Sequence, residues 1–109
     1  ETRETPTGMD TLTPRQTRNL RKQAHSLKPR VRIGRNGLTE ALITNIDKTL
    51  NDHELIKIKY LAYKTERTTI TVKIAAKTDS HIINEIGNTA TLYRRSTDYA
   101  RRTIEPGKP

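Results

Sequence analysis

Apolar side chains return along this chain at two spacings, and each change of spacing marks the edge of an element. Leu20, Ala24 and Leu27 fall on one helical stripe. Upstream, Thr13 is a good N-cap, Pro14 suits the first helical position, and Gln16 can complete a capping box. The pattern predicts a first helix from Pro14 to Ser26. Pro29 ends that region, and Arg30 to Ile33 is a short strand candidate before the loop Gly34-Arg35-Asn36-Gly37. Leu38, Leu42, Ile46 and Leu50 then repeat every four residues, which predicts a second helix ending near Asp52. From Leu55 to Leu61 the period drops to two. Ile56, Ile58 and Tyr60 alternate there with Lys57 and Lys59, as in a strand.

Two later stretches read differently. Between Glu66 and Lys77 the β-branched residues favour a strand, yet Ile70, Ile74 and Thr78 keep a helical spacing, so periodicity leaves both open. His81 to Ile86 and Thr89 to Arg94 flank Gly87-Asn88, a hairpin turn signal. At the ends, residues 1–10 contain Pro6, Gly8 and nothing that could pack a core. Residues 96–109 close in Pro-Gly-Lys-Pro. Both segments read as flexible tails, the second one basic, around a single domain at 11–95. Met9 is the only methionine and suits a natural start preceded by vector residues. No segment repeats another.

Composition narrows the picture. Only 31% of the 109 residues are apolar, with four tyrosines and no Phe or Trp, so Leu, Ile, Val and Ala must supply the core. Zero cysteines exclude disulfides and thiolate metal sites. No apolar run approaches the roughly 20 residues of a membrane span, and no apolar segment marks a secretory signal. The expected compartment is the cytoplasm, without a membrane partner.

Charge changes the reading most. Twenty-one Lys and Arg against twelve Asp and Glu leave +9, an excess that attracts polyanions. It is also unevenly placed. From Thr11 to Thr39 there is no acid, while Arg15, Arg18, Arg21, Lys22, Lys28, Arg30, Arg32 and Arg35 supply eight positive charges. Arg15, Arg18 and Lys22 share one helical face, away from the apolar stripe. A solvated helix face normally mixes its signs, and this one does not. Like charges repel and raise the cost of folding, so a polyanionic partner is the better account.

The loop Gly34-Arg35-Asn36-Gly37 lies between a strand and a helix. Glycines let a phosphate backbone approach closely, and the free N–H groups of the following helix turn attract the same anion. Arg35 and Asn36 can donate hydrogen bonds to phosphate oxygens. The KH domain clamps nucleic-acid backbone with a GXXG loop in this way. An ordinary turn with glycines at positive φ would carry the same letters, and the loop alone does not separate the two.

Catalytic material is thin. His25, His53 and His81 lie far apart, without the spacing of metal ligands. Asp52-His53-Glu54 sits at a helix-to-strand junction, where capping and turn roles suffice. There is no GxSxG, no Walker loop and no carboxylate pair. Tyr93, beside Arg94 and Arg95, suits either stacking on a base or support of the hairpin. No enzymatic activity, cofactor or small-molecule substrate is expected.

Four blocks in order carry a family resemblance. They are residues 20–29 (LRKQAHSLKP), 33–40 (IGRNGLTE), 52–57 (DHELIK), and Ile86-Gly87 through Leu92-Tyr93-Arg94. Together they resemble the chloroplast RNA splicing and ribosome maturation (CRM) domain, in its stand-alone YhbY-type form, over about Leu12 to Arg95. The resemblance implies an α/β fold with helices packed on a mixed four-stranded sheet, similar to the C-terminal domain of translation initiation factor 3. It implies a helix where periodicity left Glu66 to Lys77 open. It also implies RNA binding, since stand-alone members are associated with precursors of the large ribosomal subunit. Arg30, where the family usually has an apolar residue, and Asn88, where a basic one is frequent, depart from the pattern.

The expected function is therefore RNA binding in ribosome biogenesis, on precursor large-subunit ribosomal RNA. Arg15, Arg18, Arg21, Lys22 and Lys28 would track phosphates, with Arg30, Arg32 and Arg94 adding contacts. Gly34, Arg35, Asn36 and Gly37 would clamp the backbone. The rival reading is a DNA-coating, chromatin-like protein of similar fold and charge.

Overall fold

The computed structural model describes residues 12–95 together with Ile104 and Pro106. Helix α1 (Pro14–Ala24) opens on a full capping box. Gln16 N–H donates to Thr13 Oγ1 at 3.1 Å, and Thr13 N–H donates to Gln16 Oε1 at 3.0 Å. Strand β1 (Val31–Ile33) leads through the glycine loop to α2 (Glu40–His53), whose cap Thr39 accepts from Leu42 N–H at 3.1 Å. Strand β2 (Leu55–Tyr60) follows after one residue, Glu54, held at φ 65° with its N–H donating to Leu50 O. Helix α3 (Arg67–Thr78) then precedes the hairpin β3 (His81–Ile86) and β4 (Thr89–Tyr93).

The four strands form one sheet in the order β1-β2-β4-β3. β1 runs parallel to β2, with Ile33 opposite Tyr60, and β4 runs antiparallel to both of its neighbours. Strand alternation gives the sheet two unequal faces. Val31, Ile33, Ile56, Ile58, Tyr60, Ala90 and Leu92 pack against Ile46 and Leu50 of α2 and Ile74 and Ala75 of α3. Leu55, Ile83 and Tyr93 form a smaller cluster with Leu20 and Ala24 of α1 on the other face. This is the mixed sheet with packed helices that the sequence led us to expect.

α3 shows why periodicity left its segment open. Its β-branched residues fold as a helix that buries Thr71, Ile74 and Thr78 against the sheet, with both threonine hydroxyls bonded. Thr71 Oγ1 donates to Arg67 O and Thr78 Oγ1 to Ile74 O, each at 2.7 Å. Thr71 also meets the Tyr60 hydroxyl at 2.7 Å inside the core. Burial pushes the Tyr60 phenol up from its ordinary value, so it stays neutral there. Tertiary contacts of this kind override local β preference.

The expected first tail lies outside the described residues, as does most of the second. Of the second, Ile104 and Pro106 are described. Ile104 packs on the α1 cluster and donates its N–H to Glu54 Oε1 at 3.1 Å. Pro106 is buried, and its carbonyl accepts from Asn19 Nδ2 at 2.7 Å. Single residues in a polar stretch leave no period to read.

Ile46 is fully buried, whereas Leu42 is only partly covered. Replacing Ile46 with alanine should cost about 2–5 kcal/mol, and Leu42→Ala should cost distinctly less. Urea melts of the two variants check this, and a Leu42→Ala loss equal to that of Ile46→Ala would contradict the packing.

Candidate nucleic-acid interface

The two glycines of the loop have different local reasons to be glycine. Gly37 N–H donates to Gly34 O at 3.0 Å, closing a tight turn, and Gly37 sits at φ 66°. A Cβ at Gly37 would meet the Tyr63 ring at 3.3 Å. Tyr63 in turn donates its hydroxyl to Arg35 O at 2.6 Å, so this ring bonds one residue of the turn and lies beside another. A Cβ at Gly34 would meet nothing within 4 Å, and the φ there is not positive. This openness leaves room for a ligand.

Arg35 and Asn36 project from this fixed turn into solvent. Beside them is a shallow depression of about 360 Å³, lined by the loop, Arg32, Thr39 and the Ala41, Leu42 and Asn45 side of α2. Glu40, the acid that ends the acid-free stretch, does not line it. A phosphate in this depression would therefore meet Arg32, Arg35 and otherwise neutral groups. The helix N-terminus favours such an anion.

The expected basic residues fall into groups. Arg15, Arg18, Arg21, Lys22, Lys28, Arg30 and Arg32 are all exposed. Arg18, Arg21 and Lys22 form one wall of an open groove of about 830 Å³, while Arg15 lies outside it. The opposite wall is the sheet, including Lys57 and Thr91. Arg30 N–H donates to Lys57 O at 3.0 Å, which holds the end of the α1–β1 connection against β2. Arg32 points away from buried Val31 and Ile33, onto the α1 side of the sheet, where it pairs with Lys59. Lys57 and Lys59 lie outside the acid-free run, so a search by charge runs misses them as site residues. The alternation of β2 puts both on the face opposite Ile56, Ile58 and Tyr60, and that signal could have revealed them.

Arg94 is a correction. Its Nη1 donates to Asp47 Oδ1 at 2.5 Å and to Thr78 O at 2.7 Å. Its Nη2 donates to Asp47 O and to Asn51 Oδ1, each at 2.9 Å. With its side chain only 11% exposed, this guanidinium ties the end of β4 to α2 and α3 and is not presented to a ligand. Charge alone could not distinguish it from the exposed arginines. Tyr93 is likewise buried, in the α1 cluster beside His81, so it supports the hairpin.

The model of the CRS1 / YhbY (CRM) domain matches residues 12–94. A Haemophilus influenzae protein named "RNA-binding protein" is 37% identical over 91 residues, spanning 83% of this chain and 92% of that one. A Pseudomonas aeruginosa protein, named "Probable RNA-binding protein", is 36% identical over 86 residues, covering 78% of this chain and 83% of its own. Among solved structures, a Staphylococcus aureus protein superposes with a TM-score of 0.72 at 31% identity, over 87% of this chain and 100% of that one.

The loop geometry makes a stability prediction. Gly37→Ala forces a side chain into the left-handed region and against Tyr63, so it should cost about 1–2 kcal/mol. Gly34→Ala should melt at or slightly above the wild-type temperature, because a compatible alanine restricts the unfolded chain. Equal melting of the two variants would mean that Tyr63 does not hold the turn. Arg94→Gln should also lower the melting temperature, since it leaves Asp47 and the Thr78 carbonyl without their partner.

Proposed function

Because the chain belongs to the CRS1 / YhbY (CRM) domain family, we propose that it is an RNA-binding protein acting on precursor large-subunit ribosomal RNA during ribosome biogenesis. RNA binding is the coarser part and is supported by the names of its relatives. The precursor target follows from what the family resemblance implies for stand-alone members. The protein acts by binding and not by catalysis, and it does so in the cytoplasm.

One observation carries the reading. Exposed cations from α1, the α1–β1 connection, β1 and β2 lie on the α1 side of the sheet and along its β1 edge, leading toward the glycine loop. Phosphates neutralised along that route would position an RNA without specifying its sequence. The loop would then hold one backbone segment closely, through Gly34 and the donors of Arg35 and Asn36.

Counterion release makes such binding steeply dependent on salt. With about four to seven phosphate contacts, log K against log salt should slope near −3 to −5, at about 0.7 per contact for single strands. Arg35→Gln should reduce the slope by about 0.7. Gly34→Ala carries no charge and should weaken binding with the slope unchanged. A flat salt dependence would reduce the basic surface to a solvated face. Duplex DNA competing as well as structured RNA at equal salt would favour the DNA-coating role instead. Sequencing RNA crosslinked to the protein in its native cells tests the target. Precursor large-subunit RNA should dominate, and reads spread over messenger RNA would refute that part.

A further inference from the structure

The groove between α1 and the sheet is built differently from the loop. α1 covers only the end of the sheet face where β2 begins and β4 ends, packing Leu20 and Ala24 on Leu55, Ile83 and Tyr93. Beyond that contact no other described helix covers the face, and the groove opens onto Lys57, Asn84, Ile86, Thr89 and Thr91. Cations line the α1 wall, and the floor carries Lys57 among uncharged hydrogen-bonding groups. Ile86, 69% exposed, adds an apolar surface at the hairpin end.

The floor depends on a local irregularity. Ile82 pairs with Leu92 and Asn84 with Thr91, so β3 carries one extra residue between them. Such a bulge re-aims the side chains after it. Ile83 turns into the α1 cluster and the next residue, Asn84, lines the groove on the same side. Regular alternation would have put Asn84 on the α3 side, where Glu85 now accepts from Thr68. Among the described residues the Asn84 amide has no hydrogen-bond partner, and Arg18, Arg21, Lys22 and Lys57 have no acid paired with them.

We infer that this groove receives one or two unpaired RNA nucleotides, with phosphates against Arg18, Arg21, Lys22 and Lys57 and a base on the floor at Asn84, Thr89 and Ile86. This rests on the RNA-binding reading and narrows it to RNA with a bulged or single-stranded segment. Charge complementarity selects a polyanion, and the floor selects what that polyanion must expose. In an A-form duplex the Watson–Crick edges are paired and the faces stacked, and the edges left in the minor groove are fixed along a rigid helix that cannot enter a floor set below the α1 wall. An unpaired base can turn in, lie on Ile86, and use both the donor and the acceptor of an amide.

The test compares two labelled RNA hairpins at equal salt, one perfectly paired and one with a three-uridine bulge in its stem. The full-length protein should bind the bulged hairpin about tenfold more tightly, the weight of one or two hydrogen bonds. Asn84→Ala, checked for folding by its melt, should bring the ratio of the two affinities close to one. Gly34→Ala, altered at the loop, should weaken both hairpins and keep the ratio. With 4-thiouridine in the bulge, wild-type protein should crosslink through the peptide that spans Asn84 to Thr91. Tight binding of both hairpins at equal affinity overturns the groove assignment and leaves RNA binding intact. Failure to bind either hairpin overturns the RNA reading itself. A preference that survives in Asn84→Ala, or a crosslink confined to the Gly34–Gly37 loop, places the unpaired nucleotides elsewhere. Better displacement by poly-glutamate than by the bulged RNA would make the groove a site for an acidic protein.

Discussion

Strand β2 has to satisfy two unlike environments along its length, and the rest of the molecule is registered on it. Ile56, Ile58 and Tyr60 close the core under α2 and α3, while Leu55, Lys57 and Lys59 point to the other face. Only Leu55 of that second set is apolar, and α1 sits there. A slip of one residue would bury two lysines beneath α2 and expose three large apolar side chains. The alternation therefore fixes the sheet, the place of α1, and the cationic half of the face beside it together.

Two polar devices hold the ends of this frame. At one end, Arg94 gathers Asp47, Asn51 and the Thr78 carbonyl, so the last strand is bonded to both helices of the larger layer. Glu54 lies close by, where its carbonyl accepts Arg94 N–H at 2.8 Å and its carboxylate receives Ile104 N–H. At the other end, Tyr63 bonds the Arg35 carbonyl and its ring occupies the space a Cβ at Gly37 would need. A loop fixed before its ligand arrives has less freedom to lose on binding. The residue that makes the turn rigid is thus as much a part of the site as the residues that point outward.

Much of this was legible from local pattern. The Thr13–Gln16 box, the four-residue repeat of α2, the alternation of β2 and the Gly87-Asn88 turn each act within a few residues, so the sequence displays them directly. What stayed hidden depends on contacts between distant residues. The helical state of α3 rests partly on Thr71 meeting Tyr60. The inward role of Arg94 needs Asp47, 47 residues away. The anchoring of Pro106 needs Asn19. The different roles of Gly34 and Gly37 appear only once Tyr63 is placed beside one of them.

The position of the cations also bears on solubility. A sheet edge exposes unpaired backbone groups and invites another chain to add a strand. Here one edge is β1, only three residues long, with Arg32 at its centre and Arg30 next to it. The other edge is β3, interrupted by the extra residue at Ile83. Short length, charge and a bulge are the means by which natural sheets resist such pairing. The arginines at the first edge are also among those proposed to meet RNA, and the bulge at the second turns Asn84 into the groove. Selection against aggregation and selection for a ligand would then act on the same residues. Removing Arg30 or Arg32 would weaken both properties at once, so a loss of RNA binding in those variants has meaning only for protein shown to remain monomeric.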